Sequence, residues 1–209
     1  VFLIGGGVNI ARANQEMTQL AELTGVPVVT TIMGKGAIPA THSLYVGNLG
    51  IHGSFAANSA VSNCDVLFSI GTRFNDRITG KIEEFAAGAK IIHIDIDAAS
   101  ISRNIVVDVP IVADAKKAVC TLLGKAQPLS ISEWTDEINR WKREYPIACP
   151  ADRGKSGLTP QMMIEAVNET FTDAVIATDV GQNQLWATQF LALDENRQML
   201  TSGGLGTMG

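Results

Sequence analysis

The sequence predicts an α/β fold: an open, doubly wound parallel sheet with helices on both faces, followed by a second, incomplete α/β unit. Three observations predict it. Short β-branched, apolar runs recur through the first half of the chain: VFLI, VPVVTT, DVLFSIGT, AKIIHIDID and VDVPIVA. They are nearly continuous rather than strictly alternating, as expected of strands covered on both faces. The stretches between them carry helical spacing or turn residues, so consecutive strands are joined by crossovers and run parallel.

The elements follow in order. Residues 1–4 form a strand that breaks at Gly5, Gly6 and Gly7, and Ala13, Met17, Leu20, Ala21 and Leu23 then make a helical stripe punctuated by Gly25 and Pro27. Residues 26–31 are the second strand. A loop containing MGKGAIP follows, then GNLGIHG, then a small-residue helix over about 54–63. Strands at 65–72, 89–97 and 107–113 complete the run, and Asp114 caps a helix reaching Leu123. Trp134, Ile138, Trp141 and Tyr145 recur at helical spacing, which predicts a helix over 132–145 draped across the sheet edge. The proline, glycine and charge cluster YPIACPADRGKSG, 145–157, marks a boundary. Beyond it, Thr159 and Pro160 open a helix, AVIATDVG reads as a strand, QNQLWATQFL as a helix and MLTSGG as another strand. Two strands and two helices are few for a core of their own.

Composition narrows function. The 209 residues are 46% apolar and 18% charged, with net charge −5, so a packed core is expected and a basic footprint for nucleic acid is absent. Three cysteines, Cys64, Cys120 and Cys149, form no CxxC and sit near no histidine at ligand spacing, which fits a reducing, cytoplasmic setting. No apolar run approaches the length of a membrane span. The opening VFLIGGG has neither Met nor a basic leader, and TSGGLGTMG stops on glycines after a strand, so both ends are expected to lie inside a larger protein.

Several constellations invite chemistry. Gly5–Gly7 would let a phosphate approach the backbone, or be only a tight turn; the third glycine of GxGxxG would fall at Ile10. His52, between glycines and followed by small residues, is either a ligand contact or a satisfied structural group. GTRFNDR, 71–77, lies beyond a strand's carboxyl end, where Arg73 and Arg77 either pair with phosphate or with Asp76. In IIHIDID, His93, Asp95 and Asp97 are expected on the face opposite Ile92, Ile94 and Ile96, with nucleotide hydroxyls a better partner for the acids than a metal. Gly181, Gln182 and Asn183 sit where a strand turns into a helix, a place suited to a diphosphate, and Met208 is either a ring contact or a core residue. No catalytic triad, Walker loop or metal motif is evident; neither a catalytic residue nor a metal ligand is assigned.

Taken together, GIHG, GTRFNDRITG, IHIDID, TDVGQNQLWA and SGGLGTMG, in that order, resemble the acetolactate synthase large catalytic subunit within the thiamine-diphosphate enzyme superfamily. The resemblance implies that residues 1–146 are a central FAD-binding domain with a six-stranded, Rossmann-like sheet, that 147–157 is a linker, and that 158–209 begin a thiamine-diphosphate-binding domain. It assigns flavin contacts to Gly6, Gly7, Thr30, His52, Arg73, Asn75, Asp95, Ser100 and Asp114, and thiamine-diphosphate contacts to Gln182, Asn183, Gly206 and Met208. Asn75 departs from an acid common at its place, Asp95 fills a place that also holds glutamate, and Asn183 replaces a frequent histidine. The Mg²⁺-holding motif and the activating glutamate are expected outside this stretch, which alone is expected to be inactive. For the intact enzyme the resemblance implies decarboxylation of pyruvate and transfer of the two-carbon unit to a second 2-keto acid, pyruvate or 2-ketobutyrate, in branched-chain amino-acid biosynthesis. It also implies a second catalytic subunit, in a homodimer or homotetramer, and a small regulatory subunit. Alternative readings are a pyruvate oxidase or glyoxylate carboligase type of enzyme, or a non-catalytic nucleotide-binding module.

Overall fold

A computed structural model describes residues 1–147, 157–194 and 196–208. The first unit comprises β1 (Phe2–Ile4), α1 (Gly6–Ile10), α2 (Asn14–Thr24), β2 (Val28–Thr30), β3 (Tyr45–Asn48), α3 (Phe55–Asn63), β4 (Val66–Ile70), α4 (Asp76–Thr79), β5 (Lys90–Asp95), β6 (Val109–Val112), α5 (Ala115–Leu123) and α6 (Ser132–Glu144). Its six strands are all parallel, in the order β3-β2-β1-β4-β5-β6. The chain therefore winds outward from β1 in one direction and then from β4 in the other, and the β1–β4 boundary is a topological switch point.

Strand alternation divides the core into two layers. Leu3, Val29, Leu67 and Ile91 face α3, through Ala56, Ala57, Ala60 and Val61, and Ile138 of α6. Phe2, Ile4, Val28, Ile70 and Ile94 face α2, through Met17, Leu20 and Ala21, and α5, through Ala115 and Val119. The small side chains of α3 bring that helix close to the sheet. Ser54 caps it by accepting a hydrogen bond from Ala57 N–H at 3.1 Å. The helix of 132–145 forms as expected, but it packs on α3 and on the edge strand, where Lys142 Nζ donates to the Tyr45 carbonyl at 2.8 Å.

Three expectations need correction. The stretch Tyr45–Asn48, to which the pattern assigns no strand, completes the six strands; it is four residues long, contains Gly47, and its register against β2 shifts between Val28 and Val29. The helical stripe from Ala13 to Leu23 forms as α2, but the glycine stretch before it, expected as a tight turn only, runs into the short helix α1, set off from α2 by Arg12 at a left-handed φ of 52°. His93 does not lie on a polar face: β5 is an interior strand, and His93 is fully buried. The linker at 147–157 falls outside the described residues except at its two ends.

The second unit contains α7 (Pro160–Thr170), β7 (Ala174–Thr178), α8 (Gln182–Phe190) and β8 (Arg197–Thr201), with β7 and β8 paired in parallel. Thr159 caps α7 through Met162 N–H, with Pro160 in the first turn. Arg197, 5% exposed, donates to Asn168 Oδ1, Asn168 O and Ala192 O, tying α7 to the end of α8 and to β8.

Candidate functional site

The carboxyl edge of the six-stranded sheet is where the crossover loops gather. Every strand of the first unit contributes at least one residue assigned to the flavin: Gly6 and Gly7 after β1, Thr30 at the end of β2, His52 after β3, Arg73 and Asn75 after β4, Asp95 and Ser100 at and after β5, and Asp114 after β6. Residues scattered over more than a hundred positions thus line one edge, the edge at which open parallel sheets bind ligands.

Glycines make that edge possible. A Cβ on Gly5 would lie 2.1 Å from the Gly71 carbonyl oxygen, and one on Gly71, whose φ is +64°, would lie 2.6 Å from Gly7 Cα. The turns after β1 and β4 thus touch backbone to backbone, joined by Gly7 N–H donating to Gly71 O at 3.1 Å. Gly7 is accounted for by this packing. Gly6 is turned the other way, its Cβ position 3.0 Å from Met33 Cβ.

The polar groups divide into those already engaged and those left open. Asp114 caps α5, its Oδ1 accepting from Lys117 N–H at 3.0 Å. Ser100 donates to Asp97 Oδ2 at 3.2 Å, and Thr30 is fully buried with its hydroxyl 3.5 Å from Tyr45 Oη. These three have structural work whether or not a ligand is bound. Arg73 and Asn75 are exposed and Arg73 enters no ion pair among the described residues, whereas Arg77 lies 3.9 Å from Asp76. His52 is exposed, its carbonyl accepting from Gln189 Nε2 at 3.2 Å. Asp95 Oδ1 accepts from Asp97 N–H at 2.9 Å, and among the described residues Oδ2 has only His93 at 3.9 Å. The Thr72 hydroxyl is buried without a partner at the same loop.

His93 anchors this loop from below. Its Nε2 lies 2.7 Å from the Thr72 carbonyl, and its ring meets Phe74 edge-on at 4.9 Å between centroids. Burial pushes its pKa down, with the Thr72 carbonyl and Asp95 acting in the opposite sense. A neutral imidazole donating Nε2–H to Thr72 fits both facts.

In the second unit the predicted residues also meet. Val180 N–H donates to Thr207 O at 2.9 Å, and Gln184 Nε2 donates to Thr201 Oγ1 at 2.6 Å and to Gly203 O at 3.1 Å. These bonds bring the first turn of α8, with Gln182 and Asn183, beside the turn bearing Gly206 and Met208. All four are exposed; Met208, at 83%, is not a core residue among those described.

Two cavities flank β3, and of the residues assigned to the flavin only His52 lines either of them. One, about 410 Å³, lies at the strand's amino end between Pro27, Leu44 and α6. The other, about 350 Å³, is lined by Lys35, Tyr45, Asn48, His52 and Lys142 of the first unit and by residues 188–192 of the second. Lys35, Tyr45 and Asn48 escaped the sequence reading: a lysine inside a glycine-rich loop and a four-residue edge strand carry no pattern that marks a site.

Comparison with known proteins adds two kinds of match. The family described as "Thiamine pyrophosphate enzyme, central domain" covers residues 1–122, and "Thiamine pyrophosphate enzyme, C-terminal TPP binding domain" covers 179–209. The chain is 42% identical to the acetolactate synthase large subunit of Cyanidium caldarium, aligning over 100% of this chain and 36% of that protein. It is 44% identical to the corresponding subunit of Corynebacterium glutamicum, over 100% and 34%. It is also 44% identical to the probable acetolactate synthase large subunit of Methanocaldococcus jannaschii, over 100% and 37%. The chain thus spans about a third of the length of these relatives.

Proposed function

This chain belongs to the thiamine pyrophosphate enzyme family, and from that premise we propose that it is the flavin-binding middle domain and the first part of the diphosphate-binding domain of an acetolactate synthase. The observation that carries the reading is the gathering of all nine assigned flavin residues at one sheet edge. The full protein would join the two-carbon unit of pyruvate to pyruvate or 2-ketobutyrate, as part of a catalytic dimer or tetramer with a regulatory partner, in the cytoplasm.

The edge fits an extended dinucleotide. Arg73, which enters no ion pair among the described residues, offers its guanidinium to a phosphate. Asp95 Oδ2 is open to a ribose hydroxyl, and the buried Thr72 hydroxyl lacks a partner. Gly6, without a Cβ, lets a flat group approach over Met33. His93, locked beneath Thr72, holds the Arg73 loop in place. In the second unit the exposed amides of Gln182 and Asn183 at the start of the nine-residue α8 suit a diphosphate, with Met208 offering a thioether to a ring. Bound there, thiamine diphosphate supplies the electron sink for decarboxylation. Mg²⁺ would be held with the diphosphate; among the described residues no cluster of three or more acidic, histidine or cysteine side chains could hold a metal. No helix of the described residues is long and apolar enough to cross a membrane.

The test is 2-acetolactate formation by the full-length protein from pyruvate, with thiamine diphosphate, Mg²⁺ and FAD each omitted in turn. Product requiring all three supports the reading. Pyruvate consumed without acetolactate, or product indifferent to FAD, contradicts it.

A further inference from the structure

The cavity between β3, the end of α6 and residues 188–192 has the chemistry of an anion site. Lys35 lies just past the turn that follows β2 and is only 7% exposed. Its ammonium makes no hydrogen bond or ion pair among the described residues. Lys142, entering from α6, spends one N–H on the Tyr45 carbonyl and keeps two. Tyr45 Oη donates to Asn48 Oδ1 at 2.8 Å, which fixes the amide and leaves Asn48 Nδ2 buried with no acceptor. Among the described residues no aspartate or glutamate lines the cavity, although the chain as a whole is net negative.

Such a set is electrostatically incomplete. Burying an ammonium without a counter-charge is costly, and removing an amide N–H from water without an acceptor adds to the cost. An anion in the cavity relieves both. The rest of the wall is mixed: His52, Ser54, Thr188 and Gln189 are polar, while Ala40, Val46, Ile147, Leu191 and Ala192 give an apolar surface beside the donors. Inorganic phosphate would leave that surface uncovered, whereas a carboxylate bearing a short hydrocarbon group would fill it.

We infer that this cavity binds a small aliphatic carboxylate, held by Lys35, Lys142 and the Asn48 amide, with its hydrocarbon part against Val46, Ile147 and Leu191. The cavity meets the proposed flavin edge at His52, but its donors Lys35, Lys142 and Asn48 are none of the residues assigned to either cofactor. Because its walls come from both units, its occupancy fastens them together. The second unit otherwise reaches the first through bonds such as Ala40 N–H to Leu193 O at 2.8 Å. The inference does not rest on the carboligation reading, since binding is measured as heat and not as turnover.

The experiment is titration calorimetry on the full-length protein with isobutyrate and, separately, inorganic phosphate. Isobutyrate should bind saturably; Lys35→Met should weaken it at least about tenfold, as expected for a lost charge-assisted hydrogen bond, while Lys35→Arg keeps it. Lys142→Met should weaken it as well. Burial lowers the Lys35 pKa to about 8, so binding at about pH 8.5 should take up a proton, and that uptake should vanish in Lys35→Met. The other titratable groups lining the cavity are Lys142, His52, Tyr45 and Tyr145. Phosphate binding without isobutyrate binding, isobutyrate affinity unchanged in folded Lys35→Met, or no binding of either anion would each overturn the inference.

Discussion

The two units of this chain hold their strand-end turns, at which we propose the cofactors bind, in different ways. The six-stranded unit closes its own core on both faces, with Leu3, Ile4, Leu67, Ile70 and Ile94 almost wholly buried. The two-stranded unit buries Ala187, Leu191 and Leu193 but leaves Val175, Leu200, Phe171 and Met163 more than half exposed among the described residues. Binding loops on the first unit are therefore held by packing beneath them. Those on the second depend on individual hydrogen bonds such as Gln184 to Thr201. A turn is only as rigid as the layer under it, so the first unit's turns should be preformed on their own packing, while those of the second take their support from such bonds and from whatever packs on these exposed apolar side chains.

Substitutions at glycine should show the largest contrast. Gly71→Ala combines a left-handed φ with a Cβ 2.6 Å from Gly7 Cα, and should cost about 4 kcal/mol in urea unfolding. Gly204→Ala in the second unit meets nothing within 4 Å and should stay within about 0.5 kcal/mol. Equal effects would break the comparison.

Lys35→Met should move stability the other way. Its folded pKa of about 8 lies below the ordinary 10.5, so the native state is favoured above about 10.5 and loses that stability as pH falls through about 8. At pH 7 the burial penalty is complete, about 3 kcal/mol from the shift. The variant should recover that amount at pH 7 and lose its advantage near pH 10.5 in pH-dependent urea titrations.

Removing helix caps should have smaller effects and sharpen the contrast between units. Asp114→Ala should cost about 1 kcal/mol of the first unit's global stability, and Thr159→Ala about 1 kcal/mol seen as faster amide exchange confined to α7. Smallest should be the acid response of His93. Its lowered pKa means the unfolded chain takes up the proton first, so stability is present above the ordinary 6.5 and falls as pH drops below it. His93→Gln should flatten the unfolding midpoint across that window.

Much of the fold was legible because its cause is local. The runs at β1, β2, β4, β5 and β6 are β-branched and bounded by turns, and the caps Asp114 and Thr159 announce their helices. β3 was not legible from its pattern, since YVGN owes its strand state to pairing with β2 and to the lysine reaching it from α6. The face of His93 was misread because alternation reports a solvent face only when one exists, and β5 has neighbours and helices on every side. That the assigned flavin residues share one edge follows once the strands are placed, because loops after parallel strands gather at one edge. The lysine cavity could not, because Tyr45 and Lys142 are 97 positions apart and Lys35 joins them only through the fold. The engaged roles of Ser100 and Thr30 likewise depend on partners that spacing does not display.

The central proposal is that the edge of the six-stranded sheet holds the flavin, with Arg73, exposed and in no ion pair among the described residues, meeting its phosphate. The direct measurement is FAD affinity of the full-length protein by equilibrium dialysis, comparing wild type, Arg73→Gln and Arg103→Gln as an exposed control. The account predicts that Arg73→Gln weakens FAD binding about tenfold or more with the fold intact, while Arg103→Gln leaves it unchanged. FAD affinity equal in Arg73→Gln and wild type, or no FAD bound by either, would contradict it.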